Sequence, residues 1–170
     1  MKIRDQQRSK VYKWEQTTFG KRMSTEELSL KECERIARRV QAAYGLNHRP
    51  LRVCDGRGFK RAVAYIDSIY LPKWARNRVV ILHELAHWLC KNDWHREHDS
   101  HGPLFVRTFL ELLDWFGIMP MNELRSTAVA HRIKRAAAGQ TIKRKPGARA
   151  PKCKLLTTQQ AVPLTEKEAA

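Results

Sequence analysis

Apolar residues along the chain fall into stretches of two different periods. Leu28, Cys33, Ile36, Ala37, Val40 and Tyr44 recur at helical spacing, and Ser24 with Glu27 has the S-x-x-E form of a capping box ahead of them. Gly45 follows as a stop, so the pattern predicts a helix over 25–44. After Pro50 the period shortens. The segments 51–54 and 59–66 are short and rich in β-branched or aromatic residues, and Asp55-Gly56-Arg57-Gly58 between them has hairpin turn chemistry. They are expected as two paired strands. Asp67-Ser68 then turns the chain into a third extended stretch, 69–71, which Pro72 ends.

From 74 to 91 there is neither Gly nor Pro, and the apolar run Val79-Val80-Ile81-Leu82 leads directly into His83-Glu84-Leu85-Ala86-His87. This predicts a buried helix whose polar atoms must be satisfied by what packs against it. The segment 91–102 is polar and rich in His and Asp, hence a loop. Pro103 suits the first turn of another helix, with Phe105, Phe109, Leu112 and Phe116 at core spacing and Gly117 as its stop. A last helix begins near Asn122 and fades around Ala138. There is no internal repeat.

Composition adds two boundaries to this picture. At 170 residues and 42% apolar content the chain is long enough for one domain with a hydrophobic core, placed at 24–137. The net charge is +16, of which +9 lies between Arg132 and Lys154, a stretch without an acid. Its Lys and Arg are interrupted by Ala, Gly and Pro with little to bury, so 138–170 is expected as a disordered basic tail, and 1–23 as a basic N-terminal arm. Such a tail attracts DNA or RNA in a salt-dependent, sequence-indifferent way, and its lack of aromatic residues argues against specific single-strand recognition. Cys33, Cys54, Cys90 and Cys153 form no CxxC pair and read as reduced thiols. No apolar leader or membrane-length apolar run is present, so a cytoplasmic location without membrane contact is expected.

The chemistry concentrates at HELAH. On a helix, positions i and i+4 share a face, so His83 and His87 can bind one Zn²⁺ per chain, and Glu84 is placed to act as general base on a zinc-activated water. A third protein ligand is needed. The metzincin pattern fails, because position 90 is Cys and position 93 is Asp. Asp93, Glu111, His95, His98 and His101 remain as candidates. Cys90 shares the ligand stripe but reads as a buried thiol, and Trp88 and Leu89 read as core or pocket wall. Tyr70 and His98 are candidate hydrogen-bond donors to a reacting oxygen, and Asp93 or Asp99 candidates to orient a ligand imidazole.

HELAH followed by Arg96-Glu97-His98-Asp99-Ser100-His101-Gly102-Pro103-Leu104-Phe105 resembles the SprT-like metalloproteases, including the Spartan DNA–protein crosslink proteases, whose HExxH precedes an HGPxF. The resemblance covers about 69–116 and implies that the third ligand is His101 and that the fold is a zincin-like α+β core. In such a core a small β-sheet packs on the helix carrying HExxH. The zinc-ribbon cysteine pairs of some members are absent. Arg4-Asp5-Gln6-Gln7-Arg8-Ser9-Lys10-Val11-Tyr12, with Leu71-Pro72-Lys73-Trp74-Ala75-Arg76 and Val79-Val80-Ile81-Leu82-His83-Glu84-Leu85-Ala86-His87, also resembles a small family of metallohydrolases from actinobacteria and their phages, over most of the chain to about 138.

These readings converge on a zinc-dependent hydrolase, foremost a metallopeptidase acting on a protein or peptide, with Glu84 as base and His83, His87 and His101 as ligands. Two others stand beside it. One is a nucleic-acid-binding or regulatory module whose zinc is structural, closed by a fourth ligand such as His98 or Cys90. The other is a repressor-cleaving peptidase of the ImmA/IrrE type, whose third ligand is acidic.

Overall fold

A computed structural model describes residues 5–92, 100–137, 140 and 142–149. Among these the fold is α+β. Helix α1 (Arg8–Thr25) and helix α2 (Leu30–Ala43) precede strands β1 (Arg52–Asp55), β2 (Val63–Ala64) and β3 (Ser68–Leu71). A single 3₁₀ turn at Lys73–Ala75 leads into α3 (Arg78–Asn92), and α4 (Pro103–Trp115) and α5 (Met121–Ala130) complete the set. No helix is long and apolar enough to cross a membrane, among the described residues.

The stretch expected as a basic arm at 1–23 is, from Arg8 on, a helix of the core. Val11, Trp14 and Phe19 bury one face of α1, and Trp14 meets Phe109 of α4 edge-on at 5.9 Å between ring centroids. Its indole N–H donates to Thr127 Oγ1 of α5 at 3.0 Å. Because α1 runs to Thr25, Ser24 cannot cap the next helix and instead donates back to Lys21 O. The capping box forms one S-x-x-E further on. Ser29 Oγ accepts from Glu32 N at 3.3 Å, and Glu32 Oε2 accepts from Ser29 N at 2.8 Å.

The turn at 55–58 forms, with Arg57 N donating to Asp55 Oδ1 at 3.0 Å, but the expected pairing across it does not. The sheet order is β1-β3-β2: β1 runs parallel to β3, and β2 pairs antiparallel to it with Ala64 opposite Ile69. The tight turn at Asp67 makes β2 and β3 the hairpin, with Tyr65 N donating to Ser68 O. Gly56 lies where β1 leaves the sheet against Pro72, and a Cβ there would sit 2.5 Å from Pro72 N.

Helix α3 is the axis of the molecule. Ile81, Leu82, Leu85, Ala86, Trp88 and Leu89 are fully buried, so it is enclosed on nearly every side, by α4, the sheet, α1 and α2. It begins at Arg78, later than the Gly- and Pro-free run suggests, because Asn77 Oδ1 caps Val80 N at 3.0 Å and Glu26 accepts from Arg78 N at 2.7 Å. Helix α5 ends at Ala130, short of Ala138, since Arg132 adopts φ +54° and the chain continues extended. Ala136 N then donates to Pro103 O.

The expected disordered tail divides. Residues 142–149 return to the core: Lys145 N donates to Ala43 O at 2.7 Å, the Arg144 guanidinium lies 5.1 Å over the Trp115 ring, and Ile142 and Ala148 pack against the apolar cluster. Scarce apolar side chains suffice here because the segment adds to an existing surface. Residues 138, 139, 141 and 150–170 lie outside the described residues.

Candidate metal centre

Helix α3 carries His83 and His87 one turn apart on one face, and the N-terminus of α4 brings His101 to them. Gly102 is the N-cap of that helix and Pro103 occupies its first turn, so His101 stands at a fixed helix end. One ligand atom from each of the three histidines lies within 4.8 Å of the others. His83 Nε2 and His87 Nε2 face each other at 3.1 Å. Two imidazole nitrogens on one tetrahedral zinc stand about 3.3 Å apart, so this pair needs almost no adjustment to share an ion.

The donor set passes a test of fit. His101 Nε2 is buried and has no hydrogen-bond partner, a condition a metal ion relieves. The other ring nitrogen of two histidines is already engaged by a carboxylate. His83 Nδ1 lies 2.5 Å from Glu15 Oε1, and His101 Nδ1 lies 2.6 Å from Asp5 Oδ2. A carboxylate oxygen on Nδ1–H of each ring leaves, in the neutral imidazole, the Nε2 lone pair facing the centre.

Aromatic rings enclose the cluster. Phe105 stacks on His87 with centroids 4.2 Å apart and meets His83 and His101 more steeply, both at 5.0 Å. Tyr12 stacks on His83 at 5.6 Å and tilts over His101 at 5.2 Å. The enclosure shapes the electrostatics. Burial, with the charges of His83 and His101, pushes the His87 pKa well below its ordinary value, and burial lowers that of His101 against the pull of Asp5. At His83 burial pulls the same way, but the Glu15 carboxylate outweighs it and the pKa rises. Burial and the nearby Glu15 raise the Glu84 carboxyl.

Glu84, His87 and His101 open together on a cleft of about 220 Å³, shared with Tyr12, Arg8 and Lys91. Its far wall is the sheet edge, Val63 and Ala64 of β2. The arginines nearest in sequence pair with other acids: Arg76 meets Asp55 at 2.8 Å and Arg78 meets Glu26 at 3.0 Å. Lys91 donates to the Ala64 carbonyl.

Of the other residues singled out from the sequence, Glu111 is bound by Arg107 Nε at 2.5 Å and is not among the converging ligands. Tyr70 is stacked on Phe59 at 4.9 Å and does not line the cleft. Cys90 is buried and outside the ligand group, and Trp88 and Leu89 are core. Asp93, His95, His98 and Asp99 lie outside the described residues.

Asp5, Arg8, Tyr12 and Glu15 were missed as site residues. One signal was present: Glu15 falls four residues after Val11 and one after Trp14, inside the buried stripe of α1, where an unpaired carboxylate is costly. Comparison with family models, with curated proteins and with solved structures gives no match.

Proposed function

We propose that this protein is a zinc-dependent hydrolase, foremost a metallopeptidase with a zincin-like core, acting in the cytoplasm. The observation that carries the reading is the convergence of three imidazole nitrogens beside a buried carboxylate that opens on the same cleft. His83, His87 and His101 would hold the ion. When bound, a zinc ion with three neutral ligands supplies Lewis acidity that makes water acidic near neutral pH. Glu84 takes the proton of the attacking water on a carboxylate oxygen and returns it to the nitrogen of the departing amine. The rings of Phe105 and Tyr12 restrict bulk water around the histidines. An extended peptide fits the cleft because its wall at Val63 and Ala64 is itself extended. The Ala64 backbone already bonds Glu84 and Lys91, so such a chain would be held by side-chain contacts rather than by strand addition. The likeness of HELAH and His101-Gly102-Pro103-Leu104-Phe105 to the SprT-like pattern supports the same reading.

Metal analysis should return one zinc per chain, and Glu84→Gln should keep it. Hydrolysis of a broad protein substrate such as casein should fall about 10²- to 10⁴-fold in that variant. A zinc-loaded wild type that cuts nothing, with or without DNA, or an unimpaired Glu84→Gln, overturns the proposal. The structural-zinc alternative requires a fourth protein ligand; Cys90 is not in the ligand group and His98 lies outside the described residues, so a coordination count on the zinc-loaded protein separates the two readings. The ImmA/IrrE-type reading requires an acidic third ligand, and Glu111 is held by Arg107 instead.

A further inference from the structure

The N-terminal stretch expected as a basic arm makes four separate approaches to two of the three histidines, His83 and His101. Asp5 reaches His101 Nδ1 at 2.6 Å. Gln7, itself buried, donates through Nε2 to the His101 carbonyl at 3.2 Å and to the Lys134 carbonyl at 3.1 Å, and its Oε1 accepts from Lys134 N at 2.5 Å. Tyr12 lies over the His83 and His101 rings. Glu15, 6% exposed, reaches His83 Nδ1 at 2.5 Å. Asp5 precedes α1 while Tyr12 and Glu15 lie one turn apart on it, so a single rigid element and its lead-in carry every one of these contacts.

From this geometry we infer that the segment Asp5–Glu15 is the outer half of the metal centre. Asp5 and Glu15 are positioning residues that hold His101 and His83 as Nε2 ligands, and metal binding is coupled to docking of this segment. The reasoning rests on the proposed metal site but not on any hydrolytic activity. A ligand imidazole that can flip or change tautomer presents Nε2 only part of the time. A carboxylate on Nδ1–H removes that freedom and makes the ring a stronger donor. His83 lies on α3 and His101 in the turn that precedes α4, so orienting both requires an element that spans them. Helix α1 with Asp5 does so, and Gln7 pins its start to the chain beyond α5. Coupling is reciprocal: whatever strengthens docking strengthens metal binding by the same factor, and the ion in turn stabilises the docked segment.

The test compares full-length Asp5→Asn and Glu15→Gln, both close in shape to the native residues, with Glu123→Gln on exposed α5 as control. Zinc affinity is measured by chelator competition, and imidazole ¹⁵N spectra of the zinc-loaded proteins report each ring. The two site variants should bind zinc about 10- to 100-fold more weakly, with Glu123→Gln unchanged. Asp5→Asn should move the ring signals of His101 alone and Glu15→Gln those of His83 alone, a selectivity that a general loss of packing would not produce. Zinc should slow amide exchange along 8–15 in the wild type, and less so in both variants.

Native zinc affinity in Asp5→Asn and Glu15→Gln overturns the inference, as does a zinc-independent exchange rate along 8–15. If Glu15→Gln fails to fold, Asp5→Asn decides alone, since Asp5 lies at the partly exposed lead-in to α1. The readouts need no substrate. An inactive protein that still shows these affinity losses therefore sinks the peptidase proposal and leaves this inference standing.

Discussion

His101 and Glu111 belong to one short stretch of chain, and their environments assign them opposite roles. His101 Nε2 is buried without a partner, whereas Glu111 already neutralises Arg107, whose side chain is only 10% exposed. His101→Ala should therefore abolish tight zinc binding, while Glu111→Gln should leave zinc stoichiometry unchanged. Removing one partner of a largely buried ion pair strands the other, so Glu111→Gln should instead cost about 3 kcal/mol in urea unfolding. Zinc lost in Glu111→Gln and retained in His101→Ala would reverse the assignment. The shared face of His83 and His87, with Glu84 beside them, was legible from their spacing, because i and i+4 on a helix is a local relation. His101 stood among five candidate third ligands and was singled out only by the resemblance to a known pattern. Asp5 and Glu15 were not reached at all, since nothing in the sequence near an acidic residue says which distant imidazole it meets.

At the scale of elements, the capping box at Ser29 and Glu32 shows how a correct local rule can be applied at the wrong position. Ser24 with Glu27 and Ser29 with Glu32 share one spacing, and only the length of α1 decides between them. Ser29→Ala should cost about 1 kcal/mol near neutral pH. The Ser29 side-chain and backbone hydrogen bonds hold the Glu32 carboxyl below its ordinary range. A depressed folded pKa means stabilisation that is present above the unfolded value of about 4.3 and is lost as pH falls through the folded one. The gap between wild type and Ser29→Ala in denaturant midpoint should accordingly narrow below about pH 4, with Glu32 protonated. A gap constant down to pH 3 would contradict this role for Glu32. The strands show the same limit: the β-rich segments and the turn at 55–58 were readable, but the partner of β1 was not, because pairing with β3 depends on where the chain goes after Ser68.

At the scale of the whole molecule, the basic excess has a place. Lys143, Lys145 and Arg149 are exposed on the segment that returns over α2 and α4. If the basic tail draws the protein to DNA or RNA, as its charge leads one to expect, each of these that neutralises a phosphate adds about 0.9 to the salt slope of binding. Replacing all three with Ala should flatten the dependence of duplex DNA affinity on salt and weaken binding alike for unrelated sequences. A slope unchanged from the wild type would remove this segment from the interface. The sequence by itself determined the helical stripe of HELAH, the fixed start of α4 at Pro103, the turns and the charge, all of which arise from interactions between near neighbours. Only the tertiary structure decided that α1 belongs to the core, that β3 lies between β1 and β2, and that Asp5 and Glu15 stand behind two of the three histidines. Those are contacts between residues far apart in the chain. They are chosen by how buried surfaces close on one another, which no local period records.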